Sequence, residues 1–161
     1  MAAITAALIK QVREETGAGM MDVKKALTEA EGDVARAKEI IRAKGIQAAG
    51  KREGRKAQEG TIASQVVESA NGQTGYAVEL NSETDFVANG QDFIAMVQEI
   101  LDQAVENRCK TLDEVKTLKL ANGDDAVTAV QQRSGITGEK MEIDGYNFLE
   151  GDNLYVYDHM N

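Results

Sequence analysis

The hydrophobic period of the chain changes near Gly60, and that change limits what it can fold into. Before it, apolar residues recur every three or four positions. Ile4, Leu8 and Val12 make one stripe, Met20, Val23 and Leu27 a second, and Val34, Ala37, Ile40 and Ile41 a third. This spacing puts each stripe on one face of a helix. Thr5 and Asp33 stand where side-chain N-caps belong. Thr16-Gly17-Ala18-Gly19 and Glu31-Gly32-Asp33 break the pattern, and Gly45 is expected to stop the third helix. Helices this short are marginal alone, so residues 1–45 are expected to form a three-helix bundle.

Beyond Gly60 the apolar residues alternate. Residues 61–68 and 74–81 read as two strands about an Asn71-Gly72 turn, with Tyr76, Val78 and Leu80 on one face and Gly75, Ala77 and Glu79 on the other. A hairpin with one wet face is an antiparallel feature. Phe93, Met96, Val97, Ile100 and Leu101 then return to helical spacing. Shorter helices are expected near 112–118 and 124–133, and a strand over 140–148. Glu150-Gly151-Asp152 reads as a turn into a last strand, 154–159, which would leave a sheet edge open for a partner strand, a second copy, or a continuation beyond Asn161. The expected class is α+β: a three-helix bundle (1–45), a basic linker (46–59), and a core (60–161) whose antiparallel sheet carries packed helices.

The linker draws its character from Lys44, Lys51, Arg52, Arg55 and Lys56, against the single acid Glu53. Such a run is either a solvated tether or a contact to an acidic or phosphate-bearing partner. The whole chain carries a net charge of -9, the wrong sign for a general nucleic-acid binder. One cysteine, Cys109, cannot form an internal disulfide, which fits a reducing cytoplasm. No apolar run approaches the ~18 residues of a membrane span. Residues 1–5 lack the charged start of a secretory signal.

Catalytic and metal-binding patterns are missing. There is no CxxC, HxxxH, HExxH or GxxxxGK[ST], and one cysteine with one histidine cannot hold zinc. Glu83 and Asp85 lie in a strand-to-helix turn, where such a pair more often caps and solvates than transfers protons. No enzyme activity, metal or cofactor is expected; the chain reads as one that acts by binding. Phe86 beside Asp85 has two readings from the residues alone, a core ring closing the hairpin over the long helix or an exposed contact. Of the adjacent Met20 and Met21, at least one is expected to face solvent.

Two stretches resemble the elongation factor Ts family. Thr16-Gly17-Ala18-Gly19-Met20-Met21-Asp22-Val23-Lys24-Lys25-Ala26-Leu27 is similar to its N-terminal signature, and Asn81-Ser82-Glu83-Thr84-Asp85-Phe86-Val87-Ala88 to its second. The resemblance covers essentially the whole chain but only about the N-terminal half of a long family member. It implies a helical module similar to ubiquitin-associated domains, a linker and an α+β core. It also implies guanine-nucleotide exchange on the translational GTPase elongation factor Tu. By this resemblance Met20, Met21 and Lys24 dock on the GTPase domain, and Asp85 and Phe86, with Val87 beside them, reach it near the nucleotide's magnesium. Gly138 corresponds to a further contact glycine, although Thr137 before it replaces the family's aliphatic residue. His159, after Leu149-Glu150-Gly151-Asp152, corresponds to a functional histidine. The competing expectation is a binding module without exchange activity, recognising elongation factor Tu or a ribosomal or ubiquitin-like partner.

Overall fold

A computed structural model describes residues 3–159, which divide into two compact units. The first unit, Met1–Gly54 with Gln131–Gly138, is helical. Helix α1 (Ala6–Thr16) starts where Thr5 Oγ1 accepts the Leu8 N–H at 3.2 Å and stops at Gly17, whose φ of 72° suits a glycine. Helix α2 is Met20–Glu29, and helix α3 (Val34–Lys51) is capped by Asp33 Oδ1 accepting the Arg36 N–H at 3.0 Å. Val12, Ala18, Val23, Ala26, Leu27, Ala30 and Ala37 form its buried centre, with Ile4, Leu8, Val34, Ile40 and Ile41 packed around it. Small alanines let the three helices approach closely. Met20 is not part of the buried stripe: it shares the face of Val23 and Leu27 but is the first residue of α2, at the end of that stripe, and is 57% exposed.

Gly45 does not stop α3, which runs on to Lys51, so residues 46–51 are helix and only 52–58 lack regular structure before the first strand. The reason is packing. Helix α7 (Ala126–Thr137) crosses α3 so tightly that a Cβ on Gly135 would lie 2.4 Å from Gly45 Cα. Gly45 is thus a close-approach glycine, in helical conformation. Arg52 closes the end by donating from its guanidinium to the Ser134 carbonyl at 3.2 Å.

The second unit, Arg55–Val130 with Glu139–Asn161, is α+β. Strands β1 (Glu59–Ser69), β2 (Gly72–Ser82) and β3 (Glu142–Gly151) form an antiparallel sheet in the order β1-β2-β3. The pairing of Ser69 with Gly72 leaves a two-residue loop at 70–71, and Gly72 takes the φ of 135° that follows it. Central β2 turns Thr74, Tyr76, Val78 and Leu80 inward. Helix α5 (Gln91–Glu106) packs on β1 and β2, burying Phe93, Val97, Ile100, Leu101 and Ala104 along one face. Helix α6 (Leu112–Lys116) and the first half of α7 complete the core through Val115, Ala126, Ala129 and Val130.

Residues 154–159 do not form the expected strand. Strand β3 extends to Gly151 and the chain beyond has no regular structure, with Tyr155 90% and Tyr157 82% exposed. Alternation makes a strand only where a neighbour completes its hydrogen bonds, and among the described residues no strand lies beside this one. Leu154 is anchored, its N–H donating to Gln73 Oε1 at 2.6 Å. The open edge expected there is therefore absent, and the outer strands are β1 and β3.

The glycines of α3 and α7 make a test of this packing. Gly50, with nothing within 4 Å of its would-be Cβ, is expected to gain about 0.5–1 kcal/mol of stability as Gly50→Ala. Gly135→Ala should instead lose about 1–3 kcal/mol through overpacking against Gly45. Urea denaturation of both variants checks the opposite signs.

Candidate partner-binding site

The turn after β2 is built by two glutamates. The β2–β3 ladder ends at the pair Asn81 and Glu142. Past that point Glu139 Oε2 accepts the backbone N–H of Glu83 at 3.1 Å and of Thr84 at 3.0 Å, and Glu139 Oε1 accepts the Thr84 hydroxyl at 2.6 Å. In the other direction Glu83 Oε1 accepts the Lys140 N–H at 2.6 Å and an Arg55 guanidinium N–H at 3.1 Å. Each side chain supplies the acceptor that the other strand's backbone no longer provides. Buried Ser82 donates to the Thr84 carbonyl at 2.9 Å and tightens the same corner.

This corner launches the single-turn helix α4 (Asp85–Ala88). Thr84 is its N-cap, with Oγ1 accepting the Val87 N–H at 3.4 Å, so the capping considered for Asp85 falls to Thr84. Asp85 sits in the first turn, where a negative charge suits the helix dipole. At the far end the Thr61 hydroxyl donates to the Ala88 carbonyl at 2.9 Å. Ala88 points into the core, Val87 is half-buried against it, and Asp85 and Phe86 point out. Phe86 is 88% exposed, which rules out the core-lid reading.

The other expected contact residues are exposed as well. Met20 and Met21 occupy the first turn of α2, both facing solvent (Met21 63% exposed), and Lys24 follows one turn later. Gly138 ends α7 with φ 77°, its N–H bonded to the Ser134 carbonyl at 2.9 Å. Its would-be Cβ meets nothing within 4 Å, so the glycine is required by conformation rather than by space. His159 Nδ1 lies 3.0 Å from the Tyr157 hydroxyl on the exposed segment after β3. Asp85, Phe86, Val87 and His159 belong to the second unit, and Met20, Met21, Lys24 and Gly138 to the first.

Of the residues that hold the site, Glu139 and Lys140 were not singled out as functional by sequence, and Arg55 only as one member of the basic run. Their partners lie 55–57 and 28 positions away. The one available signal was generic: backbone donors beyond a strand end need acceptors. Cys109 is buried in the core, and burial pushes its thiol up, away from the thiolate a nucleophile needs. Its carbonyl accepts the Tyr146 hydroxyl, whose own ionisation burial also raises. Among the described residues no three His, Cys, Asp or Glu side chains cluster to hold a metal, and no helix is long and apolar enough to cross a membrane.

Residues 83–161 match the family model described as Elongation factor TS. The chain is 68% identical over 160 residues to the elongation factor Ts of Bifidobacterium adolescentis, covering 99% of this chain and 54% of that protein. It is 63% identical over 160 residues to that of Bifidobacterium longum subsp. infantis, covering 99% and 56%. To that of Bacteroides thetaiotaomicron it is 54% identical over 159 residues, covering 99% and 47%. The chain thus spans about half the length of the curated relatives it matches.

Because their side chains are exposed, Met21→Ala and Phe86→Ala should change unfolding free energy by no more than about 0.5 kcal/mol. Ile100→Ala, in the core beneath β2, should cost about 2–5 kcal/mol. Parallel denaturant titrations of the three variants check the contrast.

Proposed function

Because the chain belongs to the elongation factor Ts family, we propose that it binds elongation factor Tu in the cytoplasm and promotes loss of its bound GDP. The observation that carries this reading is the position of Phe86: a large apolar ring, almost wholly in solvent, on a turn held at both ends. A single exposed apolar residue is common on protein surfaces; this one is distinguished by its place, on a turn held at both ends within the stretch that resembles the family's second signature.

The mechanism follows from linkage. A factor that binds the GTPase better when nucleotide and magnesium are absent must weaken nucleotide binding by the same factor. Phe86 is the wedge: seated in the partner, it displaces side chains packed behind the magnesium site. Burying such a ring yields about 1.5–3 kcal/mol, enough to hold the partner in a state that grips GDP weakly. Asp85, next to the ring, fixes how it enters, and Val87 anchors the turn from inside. Met20 and Met21 offer adaptable apolar contact, with Lys24 as the charged neighbour. Gly138 and His159 add contacts that the resemblance assigns and that their exposure permits.

Stopped-flow release of a fluorescent GDP from elongation factor Tu tests the proposal. The chain is expected to accelerate release, and Phe86→Ala to slow the stimulated rate about tenfold or more. Unchanged stimulation by Phe86→Ala would remove the role given to the ring. Binding by titration calorimetry without any acceleration would leave the chain a binding module only.

A further inference from the structure

We infer that Glu139 is a positioning residue for nucleotide exchange, acting through Phe86; the inference rests on the wedge reading of that ring. A four-residue helix has no stability of its own. The direction of α4 is therefore set by what holds its two ends and its inner side. The inner side is Ala88 with part of Val87, and the far end is tied by the Thr61 hydroxyl and by the backbone turn at Asn89 and Gly90 that leads into α5. The entry is different. Three donors, the N–H groups of Glu83 and Thr84 and the Thr84 hydroxyl, converge on the two oxygens of one carboxylate. Hydrogen bonds to an ionised acceptor are shorter and stronger than neutral ones.

These bonds all fall on the two residues immediately before Asp85. Glu139 thus acts on the angle at which α4 leaves the sheet. The reciprocal bonds from Glu83 to the Lys140 N–H and to Arg55 keep the two segments in register. The same Thr84 hydroxyl that donates to Glu139 receives the Val87 N–H, which links the carboxylate directly to the helix that carries Phe86. Without Glu139, two backbone donors and one hydroxyl turn to water, and the ring is presented over a range of directions. An insertion that must displace packed side chains depends on geometry, so this spread lowers the rate at saturation more than it lowers encounter.

The test uses Glu139→Ala and, because that variant risks misfolding, Glu139→Gln, which keeps one acceptor oxygen. Amide hydrogen exchange at Glu83 and Thr84 in the free protein is expected to speed up about tenfold or more in Glu139→Ala. The saturated rate of stimulated GDP release is expected to fall about tenfold, and in Glu139→Gln about threefold, with the half-saturating concentration changed less. Adding Phe86→Ala to each variant separates positioning from general support. If Glu139 acts through the ring, its loss costs less than about twofold once the ring is gone. An equal loss in both backgrounds, or unchanged amide exchange, overturns the role of Glu139 alone. A Phe86→Ala variant as active as the parent overturns the wedge reading itself.

Discussion

The candidate site depends on a β ladder completed by side chains. Strands β2 and β3 stop exchanging backbone hydrogen bonds at Asn81 and Glu142, yet the segments just past them stay together because each contributes a glutamate to the other's backbone. Backbone donors at a sheet end must find acceptors or water. Here they find carboxylates, which hold more strongly than a carbonyl and leave the chain free to change direction. The chain can therefore turn outward at Thr84 while remaining tied to the sheet. A register shift one pair earlier, between Glu79 and Leu80, places Asp144 to accept from the Asn81 amide at 3.0 Å, so the same corner is also held from the strand side.

That corner accounts for a ring that would otherwise be misplaced. An exposed phenylalanine contributes nothing to folding, and α4 is too short to hold it by helix cooperativity. What α4 has instead is an N-cap, a buried alanine and a tie to β1. Its stability comes from its surroundings, so the ring can remain exposed without loosening its base. The exposed methionines of α2 stand on a comparable base: Val23, Ala26 and Leu27 fix that helix from beneath, and the first turn is left outward.

Local chemistry was readable from sequence wherever one segment decides its own structure. Thr5 and Asp33 cap the helices they precede, the stripe from Phe93 to Leu101 faces the core, and Tyr76, Val78 and Leu80 line the inner face of β2. The failures share a cause, which is a distant partner. Gly45 looked like a stop because glycine commonly ends helices, but α7, some ninety positions later in the chain, uses it for close approach. Met20 fitted the period of α2, and its exposure turns on whether another segment covers the first turn of that helix. Residues 154–159 alternate as a strand does and, among the described residues, have no strand to pair with. Glu139 had no local pattern at all, since its meaning comes from Glu83 and Thr84. The resemblance around Asp85 and Phe86 pointed to this turn as the candidate contact; the means of holding it was visible only in three dimensions.

On the proposed reading, magnitudes divide the labour between the two units. A ring worth about 1.5–3 kcal/mol can shift the partner's grip on GDP by about ten- to 150-fold, at about 1.4 kcal/mol per tenfold. Only interactions that differ between nucleotide-bound and nucleotide-free partner contribute to that shift. Contacts made equally well to both states add affinity and no coupling, however many there are. Met20, Met21 and Lys24, on a surface helix far in sequence from the wedge, suit this second kind: they can keep the factor bound while the wedge does the discriminating. The rigidity of the corner at Thr84 then matters for a thermodynamic reason. A loosely held Phe86 would have to be ordered on insertion, and that ordering would subtract from an energy of only a few kcal/mol. A carboxylate that orders the turn in advance leaves more of that energy to act on the nucleotide.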